Sequence, residues 1–158
     1  MNILVLCTGN SARSILLESL LNHLSDGRVT AYSAGSQPAG RVNPHALTLL
    51  QAEGHDTHAF RSKSWDEFGL GDAPVMDAVV TVCGSAAEET CPMWPGAPLT
   101  AHWGVEDPAA APEAEAPAAF AEAYAILRRR AEAFLAVPTE RMAQDALKSH
   151  LAACGRIA

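Results

Sequence analysis

The chain has 158 residues with 49% apolar and 18% charged side chains, which fits one domain with a core that needs no disulfide staples. Eleven Lys and Arg against 18 Asp and Glu leave a net charge of −7, an acidic balance that excludes nonspecific nucleic-acid binding, because such binding rests on clustered positive charge. No apolar run approaches the ~20 residues that span a bilayer, so no membrane partner is expected. The start, MNILVLCTGN, reads as a strand rather than a signal peptide, and the expected location is the cytoplasm. Four cysteines in a reducing compartment point to chemistry or packing, not to a disulfide framework. The apolar fraction includes 31 alanines, while aromatics are 6%, so a small-residue, helix-rich core is expected.

Residues 2–6 form a short aliphatic run of the kind buried on both faces of a sheet, and the run stops at Cys7. Thr8, Gly9, Asn10 and Ser11 follow, and a helical period then carries Leu16, Leu17, Leu20, Leu21 and Leu24 to about Ser25. Val29–Ser33 is a second strand, ended by Ala34 and Gly35. Pro44 opens a helix with Ala46, Leu47, Leu50 and Ala52 inward, and 62–68 has room for a short helix. Asp77–Val82 is a central strand that again ends at a cysteine, Cys83. Residues 84–98, with Gly84, Gly96 and three prolines, read as a long loop. Leu99–Trp103 is a last strand and 108–117 a flexible connection of Pro, Ala and Glu. Phe120–Leu135 is a helix, and Pro138 suits the first turn of one more, with Met142, Ala146, Leu147, His150, Leu151 and Cys154 on one face.

Strands alternating with helices imply an α/β fold with a parallel sheet covered on both sides. Ligands in such sheets bind at the carboxyl ends of the strands, and Cys7 and Cys83 both stand there. Cys7 and Arg13 are separated by five residues, a weak signal by spacing that gains weight from the strand before and the helix after. A loop closing between a strand end and a helix start turns backbone N–H groups inward, and the helix dipole adds positive potential. Thr8, Gly9, Asn10, Ser11, Ala12 and Arg13 are therefore the candidate oxyanion cradle, with Gly9 supplying left-handed backbone angles and Arg13 forking onto two oxygens. The same field favours Cys7 as a nucleophilic thiolate, with Ser14 in hydrogen-bonding reach of it. The bland alternative is a buried cysteine that merely ends a strand.

The segments Cys7-Thr-Gly-Asn-Ser-Ala-Arg13-Ser14, Tyr32-Ser33-Ala34-Gly35, Val79-Val80-Thr81-Val82-Cys83 and His102-Trp103-Gly104-Val105-Glu106-Asp107-Pro108 occur in this order. Together they resemble the arsenate reductases built on the low-molecular-weight tyrosine phosphatase fold, over residues 1 to about 136. The resemblance implies a four-stranded parallel sheet flanked by helices (residues 1–136), to which 137–158 add a C-terminal helical extension. It implies reduction of arsenate to arsenite for detoxification, with Asp107 as general acid. It also implies a cysteine relay. Cys7 forms a thiol–arsenate adduct, Cys83 attacks Cys7 and releases arsenite, and Cys91 attacks Cys83 and carries the disulfide outward. The reductant would be thioredoxin, or glutathione with glutaredoxin, and nothing demands an oligomer, so a monomer is expected.

The Cys83–Cys91 spacing is one residue longer than the commonest pattern of the thioredoxin-linked members. Some members bind potassium beside the loop. Asn10, Glu18 and Ser33 match that site, but Arg61-Ser-Lys-Ser64 stands where its aspartate belongs, so a metal-free enzyme is expected, with Lys63 or Arg61 in the cation's place. Zinc at Cys83, Cys91 and His102 is a weak signature, and Cys154 on an apolar helix face reads as packing. Two rivals compete with the reductase. A phosphotyrosine phosphatase would use the same first loop, but Ala109-Ala110-Ala111 offer no aromatic platform after Asp107-Pro108. A non-catalytic thiol protein leaves Arg13 and Asp107 without a role.

Overall fold

The computed structural model describes residues 1–84, 94 and 96–158. Its four strands, β1 (Asn2–Cys7), β2 (Thr30–Gly35), β3 (Ala78–Thr81) and β4 (Leu99–His102), pair in parallel in the order β2-β1-β3-β4. Four α-helices occur among the described residues: α1 (Arg13–Leu24), α2 (Pro44–Ala52), α3 (Ala116–Leu135) and α4 (Gln144–Cys154). The four-stranded parallel sheet flanked by helices is the fold the sequence predicts.

Alternation along β1 sends Ile3, Val5 and Cys7 into the larger apolar cluster with α1 and α3, and Leu4 and Leu6 into a smaller one with Phe68, Met76 and Val79. That double burial explains an aliphatic run without polar alternation. Helix α1 inserts Ile15, Leu16, Leu17, Leu20 and Leu21 between the sheet and α3, all fully buried. Truncating one such leucine to alanine costs roughly 2–5 kcal/mol. The core also takes three large aromatic side chains, Trp103, Phe120 and Phe134, so it is less purely small-residue than composition suggests.

Chain order and sheet order together set the site. From β1 the chain crosses to β2 on one flank and then to β3 on the other. The crevice at such a reversal opens outside the carboxyl end of the strand in the middle. Cys7 ends β1 there, paired with Gly35 of β2, while Leu6 is level with Thr81 of β3.

Several expectations need correction. Residues 108–117 are not a flexible connection. Two 3₁₀ turns, Pro108–Ala110 and Glu113–Glu115, lead directly into α3, which begins at Ala116 because Pro117 fits its first turn. Pro138 does not open a helix: at ψ 74° it precedes a 3₁₀ turn, Thr139–Arg141, and α4 starts at Gln144. Ala52 and Ala146 are exposed rather than inward. Most of the loop expected at 84–98, Cys91 included, lies outside the described residues. No helix among the described residues is long and apolar enough to cross a membrane.

Candidate active site

The loop between β1 and α1 closes over the Cys7 thiol. Cys7 Sγ lies 2.9 Å from Ser14 Oγ and accepts from the Asn10 N–H at 3.1 Å. The loop's carbonyls turn outward: Thr8, Gly9 and Ser11 accept from the backbone N–H groups of Gln37, Ala39 and Asn43, each at 2.9 Å. A second bond to the Gly9 carbonyl comes from Ser62 Oγ at 3.1 Å. A loop whose carbonyls face away presents its amides to the other side, which is the requirement for an anion nest. Helix α1 begins at Arg13 with no side-chain cap, so no capping side chain claims its first N–H groups.

Asn10, not Gly9, takes the left-handed conformation, at φ +46°. Asparagine tolerates that region, and here its amide is fully engaged. Nδ2 donates to Ser14 Oγ at 2.8 Å and Ser33 Oγ at 2.9 Å, and Oδ1 accepts from the Lys63 N–H at 2.9 Å. Gly35 completes the fit: a Cβ there would collide with the Thr8 carbonyl oxygen and sit 3.0 Å from Asn10 N. The motif Ser33-Ala34-Gly35 thus supports the loop from the neighbouring strand.

Beyond Ser33 lies a buried pair. Ser33 Oγ donates to Glu18 Oε1, and Lys63 Nζ stands 3.9 Å from the same oxygen, with only 9% of the Lys63 and 12% of the Glu18 side chain exposed. Burial pushes the Glu18 carboxyl up from its ordinary range despite Lys63, and burial pulls the Lys63 ammonium down despite Glu18. Arg61 turns away to pair with Glu67, at 3.0 and 2.5 Å. An ammonium already faces the one carboxylate of this set, so these residues do not fit a potassium ion.

Arg13 donates through Nη1 to the Val105 carbonyl at 3.0 Å, and its Nη2 lies 3.8 Å from Asp107 Oδ2. Asp107 is extended (φ −73°, ψ 108°), as a residue before proline should be, and its Oδ1 accepts from the Ala109 N–H at 3.0 Å. Its side chain is 44% exposed. Cys83 is buried, and its Sγ lies 3.6 Å from Thr8 Oγ1. The structure therefore brings Cys7, Arg13, Ser14, Asp107 and Cys83 to one end of the sheet. His102 Nδ1 is 2.8 Å from Thr81 Oγ1, and no group of three potential metal ligands occurs among the described residues. Cys154 is buried on α4, 3.8 Å from His150 Nε2, and burial pushes its thiol up.

Residues 2–148 match the Low molecular weight phosphotyrosine protein phosphatase family. The chain belongs to that family. It is 40% identical to an arsenate reductase of Bacillus subtilis over 106 residues, 67% of this chain and 73% of that one. A crystal structure of an arsenate reductase from Archaeoglobus fulgidus, 29% identical, superimposes with a TM-score of 0.62 over 82% of this chain and 98% of that chain. A thioredoxin-dependent arsenate reductase of Corynebacterium glutamicum, also 29% identical, matches with a TM-score of 0.57 over 80% of this chain and 58% of the other.

The sequence did not reveal the Lys63 N–H bond to Asn10, the outward carbonyls of the loop, or Val105 as a partner of Arg13. These contacts join positions 29 to 92 residues apart, with no local pattern to announce them.

Proposed function

We propose that this protein reduces arsenate to arsenite through a cysteine relay. The observation that carries the reading is a thiol, Cys7, held in a loop of inward amides beside Arg13, with a second thiol, Cys83, 3.6 Å from Thr8 Oγ1 of the same loop. The names of the relatives support it.

The Cys7 thiolate attacks arsenic, an S–As bond forms, and an arsenate oxygen leaves as water with the proton of Asp107. The cradle amides and Arg13 hold the remaining oxygens. The Cys83 thiolate then attacks Cys7 Sγ. The S–As bond breaks with its electron pair on arsenic, so As(V) becomes As(III) and departs as arsenite, while the two thiols become a Cys7–Cys83 disulfide. Cys91 attacks Cys83 Sγ, Cys7 leaves as thiolate, and an external dithiol reduces the Cys83–Cys91 disulfide. The thioredoxin-dependent neighbour favours thioredoxin over glutathione and glutaredoxin as that donor. The cycle needs reduced thiols, hence a reducing compartment such as the cytoplasm, and one protomer suffices.

A coupled assay with arsenate, NADPH and either a thioredoxin or a glutaredoxin regenerating system tests the reading. Arsenate-dependent NADPH oxidation is expected with thioredoxin. Hydrolysis of a phosphotyrosine peptide with no arsenate turnover in either system would give the chain to the phosphatase side of the family instead.

A further inference from the structure

The segment that carries Asp107 follows β4, with Val105 packed against the core and Pro108 buried. Val105, Glu106, Asp107 and Pro108 border an open cavity of about 620 Å³, whose other wall is α3. Polar fixings hold this segment. Three consecutive carbonyls, those of Trp103, Gly104 and Val105, are taken by two arginines from different helices. Arg13 of α1 takes Val105. Arg130 of α3 takes Trp103 at 2.9 Å and Gly104 at 3.1 Å through Nη1.

Arg130 is 93% buried, since only 7% of it is exposed, and among the described residues it forms no ion pair. Its Nε donates to the Ile157 carbonyl at 2.8 Å, so one guanidinium ties the acid segment to the chain beyond α4. The same stretch grips Trp103 directly. The indole Nε1 donates to the Leu151 carbonyl at 2.9 Å, and Gly155 packs so closely that a Cβ would fall 2.7 Å from Trp103 Cδ1. Among the described residues this buried cation is met by backbone carbonyls, an arrangement that costs desolvation a packed apolar side chain would avoid. It is a costly choice for packing and an apt one for fixing three carbonyls with rigid geometry.

We propose that Arg130 is a positioning residue for the acid step, latching the Asp107 segment to α3 and to the C-terminal residues. The proposal rests on the reading of Asp107 as general acid. Arg130 touches no reacting atom and acts through the direction in which Asp107 presents its proton, so its loss slows proton delivery and leaves anion binding in the cradle intact.

A double-mutant cycle tests this. Single-turnover arsenite release is measured for wild type, Arg130→Met, Asp107→Asn and the double variant, with inhibition by inorganic phosphate as the measure of the cradle. Arg130→Met is expected to slow release about tenfold, a fraction of what a general acid contributes. Phosphate inhibition should stay within about twofold. The double variant should be no slower than Asp107→Asn alone. Arg130→Lys keeps the charge and one donor group, and should recover part of the rate; it carries the same cycle if the methionine variant does not fold. A further slowing of Asp107→Asn by the full Arg130 factor, or an equal loss of phosphate inhibition, overturns the latch. If wild type releases no arsenite, the reductase reading fails by itself. The cycle is then read on hydrolysis of phenyl phosphate, whose poor leaving group needs the same proton, and the same two outcomes decide.

Discussion

Arg13 and Asp107 meet at one edge of the candidate cradle, with Nη2 3.8 Å from Oδ2, while the other terminal nitrogen of Arg13 holds the Val105 carbonyl at 3.0 Å. One side chain thus joins the candidate cradle to the segment that bears Asp107. The carboxylate is half-exposed, so this contact contributes little as an ion pair, and its value lies in geometry. In the proposed cycle the two groups serve one oxyanion, Arg13 as a fixed donor and Asp107 as a proton source.

Arg13→Lys should lower arsenate turnover about a hundredfold, the scale of losing a fixed donor to a developing oxyanion. Lysine keeps the charge but cannot reach the Val105 carbonyl and a substrate oxygen in one plane. Steady-state rates with saturating reductant provide the check. Turnover within threefold of wild type would remove the cradle role.

Asp107→Asn should slow adduct formation about a hundredfold at neutral pH, since a general acid contributes on that order. Exchange between the thiols should be untouched. Rapid-quench measurement of arsenite release separates the two, and an unchanged first turnover would exclude Asp107 as the acid.

The Glu18–Lys63 pair predicts a stability effect. Replacing Glu18 by Gln leaves Lys63 buried without its carboxylate and should cost about 3 kcal/mol in urea unfolding. The double variant Glu18→Gln/Lys63→Met should recover most of that loss. The pH dependence has a definite sign. The folded-state pKa of Glu18 is raised, chiefly by burial, so the folded protein holds the proton more tightly than the unfolded chain. Stability from this group is fully present at low pH and falls as pH climbs through the window above the ordinary glutamate range. Lys63, lowered chiefly by burial, acts at the alkaline end: stability rises as pH passes its folded pKa towards the ordinary lysine range. His55, whose lowered pKa makes stability rise with pH over an overlapping range, contributes to wild type and variant alike, so the check is their difference. The stability of wild type relative to Glu18→Gln should fall as pH climbs through that window, and a relative rise would contradict the assignment.

The parts legible in the chain are those whose cause is local. The run Asn2–Cys7 reads as a strand because every residue from Ile3 to Cys7 is buried, and Arg13–Leu24 reads as a helix because its leucines recur at helical spacing. Cys7, Arg13 and Ser14 could be named because one turn of chain holds them all. The sequence points to Gly9 as the left-handed residue since glycine is the general solution, whereas Asn10 is held at φ +46° by four side-chain and backbone bonds, two of them from β2 and the 61–64 segment. The order in 108–117 was hidden because low-complexity composition says nothing of Pro108 being buried or of Asp107 capping a turn. Arg130 is invisible for the same kind of reason: within Arg128-Arg129-Arg130 only the third is buried, and its partners lie 26 and 27 residues before it and 27 after it.

The relay gives the sharpest expectations, one for each cysteine. Cys7→Ser should lose all arsenate chemistry, because no thiolate then meets arsenic. Cys83→Ser should stop at the first adduct, and arsenite should appear only when a small thiol such as glutathione resolves Cys7 directly. Cys91→Ser should release one equivalent of arsenite and stall as a Cys7–Cys83 disulfide, both of whose sulfurs are buried and poorly reached by a protein reductant. Cys154→Ser should match wild type in turnover, with a stability loss of about 1 kcal/mol from placing a hydroxyl at a buried site. Mass spectrometry of arsenate-treated protein after alkylation maps the bridges directly. A Cys7–Cys83 bridge should accumulate in Cys91→Ser, and a Cys83–Cys91 bridge in wild type without reductant. Full steady-state turnover by Cys91→Ser would replace the three-cysteine relay with a two-cysteine cycle completed by an external thiol, since the electrons must then enter at the Cys7–Cys83 bond itself.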